Sequence, residues 1–178
     1  MKFKKTKFKN VILINPNIFC DNRGYFFEKI NQRKFFFDIK QENESLSKKK
    51  YTFRGLHFQK KPFAQKKLIT VIKGSIIDYV LCINKKDKNF GKHINIKLDD
   101  KKKILLFLDE NYAHGFLTLE KNTVVNYKVS NFYNKNNEVG IDALDPSLNI
   151  RFSSHKKKII LSEKDKKNLS FKNVFLIK

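Results

Sequence analysis

A chain of 178 residues with 40% hydrophobic and 13% aromatic content can close a core without staples, and it is too apolar to be intrinsically disordered despite being 31% charged. Its two cysteines, Cys20 and Cys82, sit in no Cys-x-x-Cys or Cys/His cluster, which excludes a disulfide framework and a structural zinc site. The net charge of +22 points first to nucleic acid, but only four of the 39 basic residues are arginine and the lysines are scattered. The charge therefore reads as a solvated lysine surface, with no nucleic-acid or membrane partner.

In chain order, the first apolar run is residues 11–14, strand-like and closed by Asn15-Pro16. It is too short for a signal-peptide core, and no window approaches the roughly 18 apolar residues of a membrane span, so the cytoplasm is the expected compartment. Residues 27–37 are a candidate short helix. Residues 67–72 and 76–83 are β-branched runs around Lys73-Gly74-Ser75 and predict a hairpin. Residues 93–98 alternate, with Ile94, Ile96 and Leu98 on one face, as a half-buried strand does. After a turn at 99–103, residues 104–108, 115–119 and 123–129 continue the strand spacing of sandwiches and barrels. A second helical candidate is 162–168, with Ser162 and Asp165 at capping-box spacing. Pro16, Pro62 and Pro146 fall in connections. The fold class is all-β: an antiparallel barrel or jelly roll with short helical appendages, in one domain over 1–178.

Three clusters stand out chemically. In Arg54-Gly55-Leu56-His57-Phe58-Gln59, strand alternation would put Arg54 and Leu56 on one face, His57 and Gln59 on the other. Tyr112-Ala113-His114-Gly115-Phe116 is the second, and Asn126-Tyr127-Lys128 the third. Each has an ordinary reading on its own: a core histidine satisfied by a carbonyl, a tyrosine that packs.

Taken together and in order, these clusters resemble the dTDP-4-dehydrorhamnose 3,5-epimerase family. The resemblance rests on them and on Asp21-Asn22-Arg23-Gly24-Tyr25-Phe26-Phe27-Glu28, Gln41-Glu42-Asn43-Glu44-Ser45, Ala64-Gln65 with Lys67-Leu68, Gly74 with Asp78, Phe90-Gly91, Asp145-Pro146, and Leu161-Ser162 with Asp165. It implies a cupin-type jelly roll, a homodimer, and no cofactor or metal. A metal-binding cupin brings two histidines and a carboxylate close together on adjacent strands, whereas His57, His93, His114 and His155 make no such set.

The implied substrate is dTDP-4-dehydro-6-deoxy-D-glucose, whose C3 and C5 protons are acidified by the 4-ketone; the product is dTDP-4-dehydro-L-rhamnose, a precursor of surface polysaccharide. By the same resemblance His57 is the base, Asp165 orients it, Tyr127 is the acid on the opposite face and Lys67 faces the enolate oxygen. Arg23 and Arg54 would contact the diphosphate, Phe26 would stack on the base, and Glu28, Gln41, Asn43, Asp78, His114 and Tyr133 would complete the substrate pocket. Alternatives are a single-carbon epimerase, a 3,4-ketoisomerase of a nucleotide 4-keto sugar, or a non-catalytic sugar-nucleotide or polyanion binder. The chain departs from the family pattern at Lys66, Cys82, Asn84, Ala143 and Phe152, and Ala143 is a position able to change pocket shape.

Overall fold

The computed structural model describes residues 1–35, 37–152 and 159–175; Phe36, in the predicted first helix, and His155 lie outside them. The strands are β1 (Lys2–Lys5), β2 (Val11–Asn15), β3 (Ile18–Asp21), β4 (Gly24–Phe27), β5 (Gln41–Ser47), β6 (Phe53–Gln59), β7 (Lys67–Lys73), β8 (Ser75–Cys82), β9 (His93–Asp99), β10 (Leu105–Leu108), β11 (Tyr112–Thr118), β12 (Thr123–Val129) and β13 (Glu138–Gly140). They form a six-stranded sheet in the order β1-β2-β10-β7-β12-β5, a five-stranded sheet in the order β13-β6-β11-β8-β9, and the separate hairpin β3-β4. Every strand pairing is antiparallel, giving the expected jelly roll. No helix among the described residues is long and apolar enough to cross a membrane.

Three apolar layers explain why β7, β8, β10 and β11 read as nearly unbroken apolar runs rather than alternating ones. Between the sheets lie Ile69, Val80, Cys82, Leu106, Phe116 and Val125. Behind the five-stranded sheet, Phe53, Leu56, Tyr79, Leu81 and Leu117 pack under Ile141, Phe152 and Phe171 from the C-terminal segment. Behind the six-stranded sheet, Leu68, Leu105 and Phe107 pack against Phe37. Neighbours such as Leu68 and Ile69 thus point to different cores, and the central strands are buried on both faces, whereas the edge strands β1, β5 and β9 keep exposed positions.

Three sequence expectations are corrected. The strands around Gly74 are not a hairpin: β7 belongs to one sheet and β8 to the other. A single residue, Gly74, separates them, its φ of +83° turns the chain between layers, and its N–H donates to Asp100. No helix forms among the described residues of 27–37: a single turn is closed by the Phe35 N–H on the Asn31 carbonyl, and Phe35 and Phe37, which a helix would set on different faces, both pack edge-on against Phe107. At 162–168 only a 3-10 turn over Asp165–Lys167 forms, and the one α-helix among the described residues is α1 (Phe171–Phe175), which sequence reasoning missed. Ala143 lies in the core behind the five-stranded sheet, away from any cleft, and Phe152 fills the space between Phe53 and Tyr79.

The expected face assignment in β6 also changes. His57 pairs with His114 and Arg54 with Phe116, so three steps along β6 match two along β11. This bulge sets two residues, Gly55 and Leu56, against Gly115 and reverses the parity of the strand. Phe53, Leu56 and Phe58 point to the rear core, while Arg54, His57 and Gln59 share the cleft face.

The bulge depends on two glycines. A Cβ on Gly115 would stand 2.6 Å from the Arg54 carbonyl oxygen, and one on Gly55, at φ +125°, would stand 2.5 Å from the Gly115 Cα. Both contacts are with backbone, which cannot swing aside. Gly115→Ala is expected to lose at least about 2 kcal/mol of stability, the upper range for overpacking, in a urea titration. A loss under about 0.5 kcal/mol would show that the strands separate freely.

Candidate active site

A cleft of about 440 Å³ opens between the two sheets. The five-stranded sheet supplies Arg54, His57, Gln59, His114 and Phe116; the six-stranded sheet supplies Lys67, Tyr127, Gln41, Asn43 and Ser45; and Tyr133, Glu138, Lys164 and Asp165 close one side. His57 and Tyr127 thus stand on different sheets.

The His57 Nε2 is 2.7 Å from Asp165 Oδ1. Asp165 accepts that ring proton, which leaves the lone pair on Nδ1. Burial works to raise the Asp165 carboxyl, but the bond and charge of His57, the Ser162 hydroxyl and the Gly55 backbone together hold it below its ordinary value. Its own N–H donates to the Ser162 hydroxyl at 3.0 Å, so half of the capping box exists while the side chain serves the histidine.

Lys67 is 7% exposed. No carboxylate among the described residues comes within ion-pair distance of its ammonium. Burial therefore lowers it from 10.5 to about 8, against the more distant pull of Asp78 and Glu138. His114 lies in the same layer, and burial and the Lys67 cation keep it below its ordinary value despite an Asp78 carboxylate 3.2 Å from Nδ1. Asp78 is thus behind the cleft wall, with its other carboxylate oxygen unpartnered in the described structure. Burial raises the Tyr127 phenol, and the cation of Arg54 only partly offsets this. Arg54 is itself tethered across the sheets, donating to the Ser47 hydroxyl and the Leu46 carbonyl.

Three glutamines fix the rim. Gln41 accepts from the Tyr133 N–H, Gln59 donates to the Phe132 carbonyl and accepts from the Asn134 N–H, and Gln65 donates to the Asn131 carbonyl. Gln41 also donates to Asn43 at 2.7 Å.

Of the residues expected from sequence, His57, Asp165, Tyr127, Lys67, Gln41, Asn43, Arg54, His114 and Tyr133 line the cleft. Arg23, Phe26, Glu28 and Asp78 do not. Arg23 and Phe26 line a separate concavity on the exposed β3-β4 hairpin, and Glu28 bonds locally to Asn31 and Lys34. Sequence reasoning missed Glu138 and Lys164, which form an ion pair at the cleft edge. Glu138 lies in an Asn- and Lys-rich stretch with no flanking signal, and only the pairing of β13 with β6 brings it beside His57. No group of three His, Cys, Asp or Glu among the described residues is arranged to hold a metal ion.

The depressed Lys67 value has a consequence for stability. The unfolded chain binds more protons than the folded one between about 8 and 10.5, so stability rises with pH across that window as the buried ammonium neutralises. Lys67→Met is expected to raise stability at pH 7 by roughly 1 to 3 kcal/mol, with the gap from wild type closing above pH 10. Denaturant titrations at several pH values check this; a destabilised Lys67→Met would contradict the unpaired charge.

A sequence model of the dTDP-4-dehydrorhamnose 3,5-epimerase family matches residues 5–173. A dTDP-4-dehydrorhamnose 3,5-epimerase of Shigella flexneri is 36% identical over 171 residues, covering 93% of each chain. The crystal structure of a dTDP-4-dehydrorhamnose 3,5-epimerase from Elizabethkingia anophelis NUHP1 matches with a TM-score of 0.92 and 35% identity over 98% of each chain. That of a dTDP-6-deoxy-D-glucose-3,5-epimerase from Legionella pneumophila, in complex with dTDP-4-keto-L-rhamnose, matches with a TM-score of 0.88 and 28% identity, covering 95% of this chain and 92% of that one. With the cleft residues expected from that resemblance gathered between its sheets, the chain belongs to the dTDP-4-dehydrorhamnose 3,5-epimerase family.

Proposed function

We propose that this chain inverts C3 and C5 of dTDP-4-dehydro-6-deoxy-D-glucose, without a metal, to give dTDP-4-dehydro-L-rhamnose. The observation that carries the reading is the placement of a His57–Asp165 pair on one wall of the cleft and Tyr127 on the other. Inversion needs proton removal from one face of a carbon and delivery to the other, and two sheets facing one another supply that separation.

In this reading the 4-keto sugar lies between the sheets. His57 Nδ1 removes a proton beside the ketone, and the Asp165 carboxylate stabilises the imidazolium. The electron pair delocalises onto the ketone oxygen, where the buried Lys67 ammonium meets it, and such a charge is worth more there than in solvent. Tyr127, kept protonated by its burial, delivers a proton to the opposite face. Arg54, braced by its bonds to Ser47 and Leu46, is the diphosphate contact on this chain.

Arg23 and Phe26 enter through a second copy. Phe19, Tyr25 and Phe26 on the β3-β4 hairpin are 63%, 59% and 71% exposed, an apolar surface that a homodimer would cover. The dimer reading is that this hairpin reaches the partner's cleft and sets Phe26 against the nucleotide base. Sedimentation is expected to find a dimer that Phe26→Ser weakens, with a raised KM; a monomeric active species would end that reading. The free cysteines Cys20 and Cys82 suit a reducing cytoplasm.

The test is conversion of the 4-keto nucleotide sugar followed by NMR. Wild type is expected to yield the doubly inverted sugar, and exhaustive chelation to leave the rate intact. His57→Ala is expected to abolish solvent exchange at both carbons. Asp165→Asn should lower kcat about 10- to 100-fold with KM little changed. Normal turnover in Asp165→Asn with only a lowered melting temperature would reduce Asp165 to a capping residue.

A further inference from the structure

Inverting two carbons with one base and one acid leaves a proton imbalance; the argument rests on the epimerase reading above. After the first inversion His57 is an imidazolium and Tyr127 a phenolate. Neither can act again until His57 has lost a proton and Tyr127 has gained one.

The Asp165 side offers no exit. That carboxylate is 6% exposed, holds Nε2, and packs against the Ser162 hydroxyl and the Gly55 backbone. The other ring nitrogen has a different neighbour: Glu138 Oε1 lies 4.0 Å from Nδ1, just beyond hydrogen-bond reach. Glu138 Oε2 accepts from the Tyr133 hydroxyl at 2.8 Å and pairs with the Lys164 ammonium. Tyr133 and Lys164 are both largely solvent-exposed, so the Glu138 carboxylate spans the distance from the ring to the cleft mouth.

We propose that Glu138 is the relay that resets the base between the two inversions, carrying the Nδ1 proton of His57 to water at the cleft mouth. The proton moves from Nδ1 to Oε1 and from the carboxyl to water, while the Tyr127 phenolate takes a proton from water in the cleft. One proton leaves and one arrives, and only N–H and O–H bonds change. Among the described residues only Asp165 and Glu138 come within ion-pair distance of the His57 ring; His114 beside it on β11, Arg54 on its own strand, Lys67 from β7, Tyr127 from β12 and the Lys164–Tyr133 rim are the other charged or titratable groups of the cleft. Apart from Glu138, none of these bridges Nδ1 to solvent.

The environment of Glu138 fits a resting acceptor. Burial works to raise its carboxyl, but the bonds from Lys164 and Tyr133 and the charge of His57 bring it below its ordinary value, so it waits ionised. A relay need hold the proton only briefly.

Glu138→Gln tests the relay, since the amide keeps the shape but cannot take up the proton. With dTDP-4-dehydro-6-deoxy-D-glucose as substrate, the variant is expected to accumulate the singly inverted sugar while formation of the doubly inverted product falls roughly 10- to 100-fold. Added imidazole or formate buffer should restore that rate in proportion to its concentration and leave wild type unaffected, a response that a merely structural role would not produce. Glu138→Asp, which retains a carboxylate, should recover part of the rate. If Glu138→Gln is slow without accumulation and ignores buffer, Glu138 acts on substrate placement and the relay is overturned. Should that variant fail to fold, the buffer response of Glu138→Asp decides: a dependence supports the relay and its absence overturns it. Wild type that fails to convert the sugar would instead overturn the epimerase reading, so the two failures are distinguishable.

Discussion

The contact between Gly55 and Gly115 is the constraint on which the cleft depends. Without the bulge in β6, strand parity would turn either Arg54 or His57 out of the cleft and into the rear core. Backbones that approach this closely leave no room for a side chain at either position, so the bulge stays in one register. The consequence is chemical: a guanidinium fit for a diphosphate and an imidazole fit for proton transfer face the same space, three residues apart on one strand.

The second constraint is the Lys67 ammonium, buried without an ion-pair partner among the described residues. Such a charge opposes folding, and its burial lowers it to about 8. Burial, joined by the Lys67 charge, also holds His114 below its ordinary value. In the proposed mechanism the Lys67 cation meets the oxygen that becomes negative, so the feature that weakens the fold would strengthen the site.

Much of this was legible in sequence, and the remainder was not for physical reasons. Residues 93–98 announce their strand by alternation and 123–129 by β-branched content, signals carried within each segment. The β7–β8 junction misleads, since the same Gly-containing run that turns a hairpin also turns a corner between sheets, and only long-range pairing to β12 and β11 decides. Alternation places His57 and Gln59 together correctly but wrongly joins Arg54 to Leu56, because it assumes no bulge, and the bulge is set by Gly115, some sixty residues away. His57, Lys67, Tyr127 and Asp165 were found through a resemblance, since each alone has an ordinary structural role. Glu138 carries no local signal and is visible only once β13 lies against β6. The basic surface, so prominent in composition, supplies few of the groups in the cleft.

The central claim is that base and acid act from opposite walls, and the most direct measurement is deuterium exchange by Tyr127→Phe in heavy water, followed by NMR of the sugar. The phenyl ring keeps the packing of Tyr127 and removes only its donor. The account predicts that the variant still exchanges solvent deuterium into the sugar, because His57 can remove and return a proton on its own face, while the yield of inverted product falls sharply. Exchange and inversion declining together would place Tyr127 in substrate binding or ketone polarisation and contradict its role as the acid.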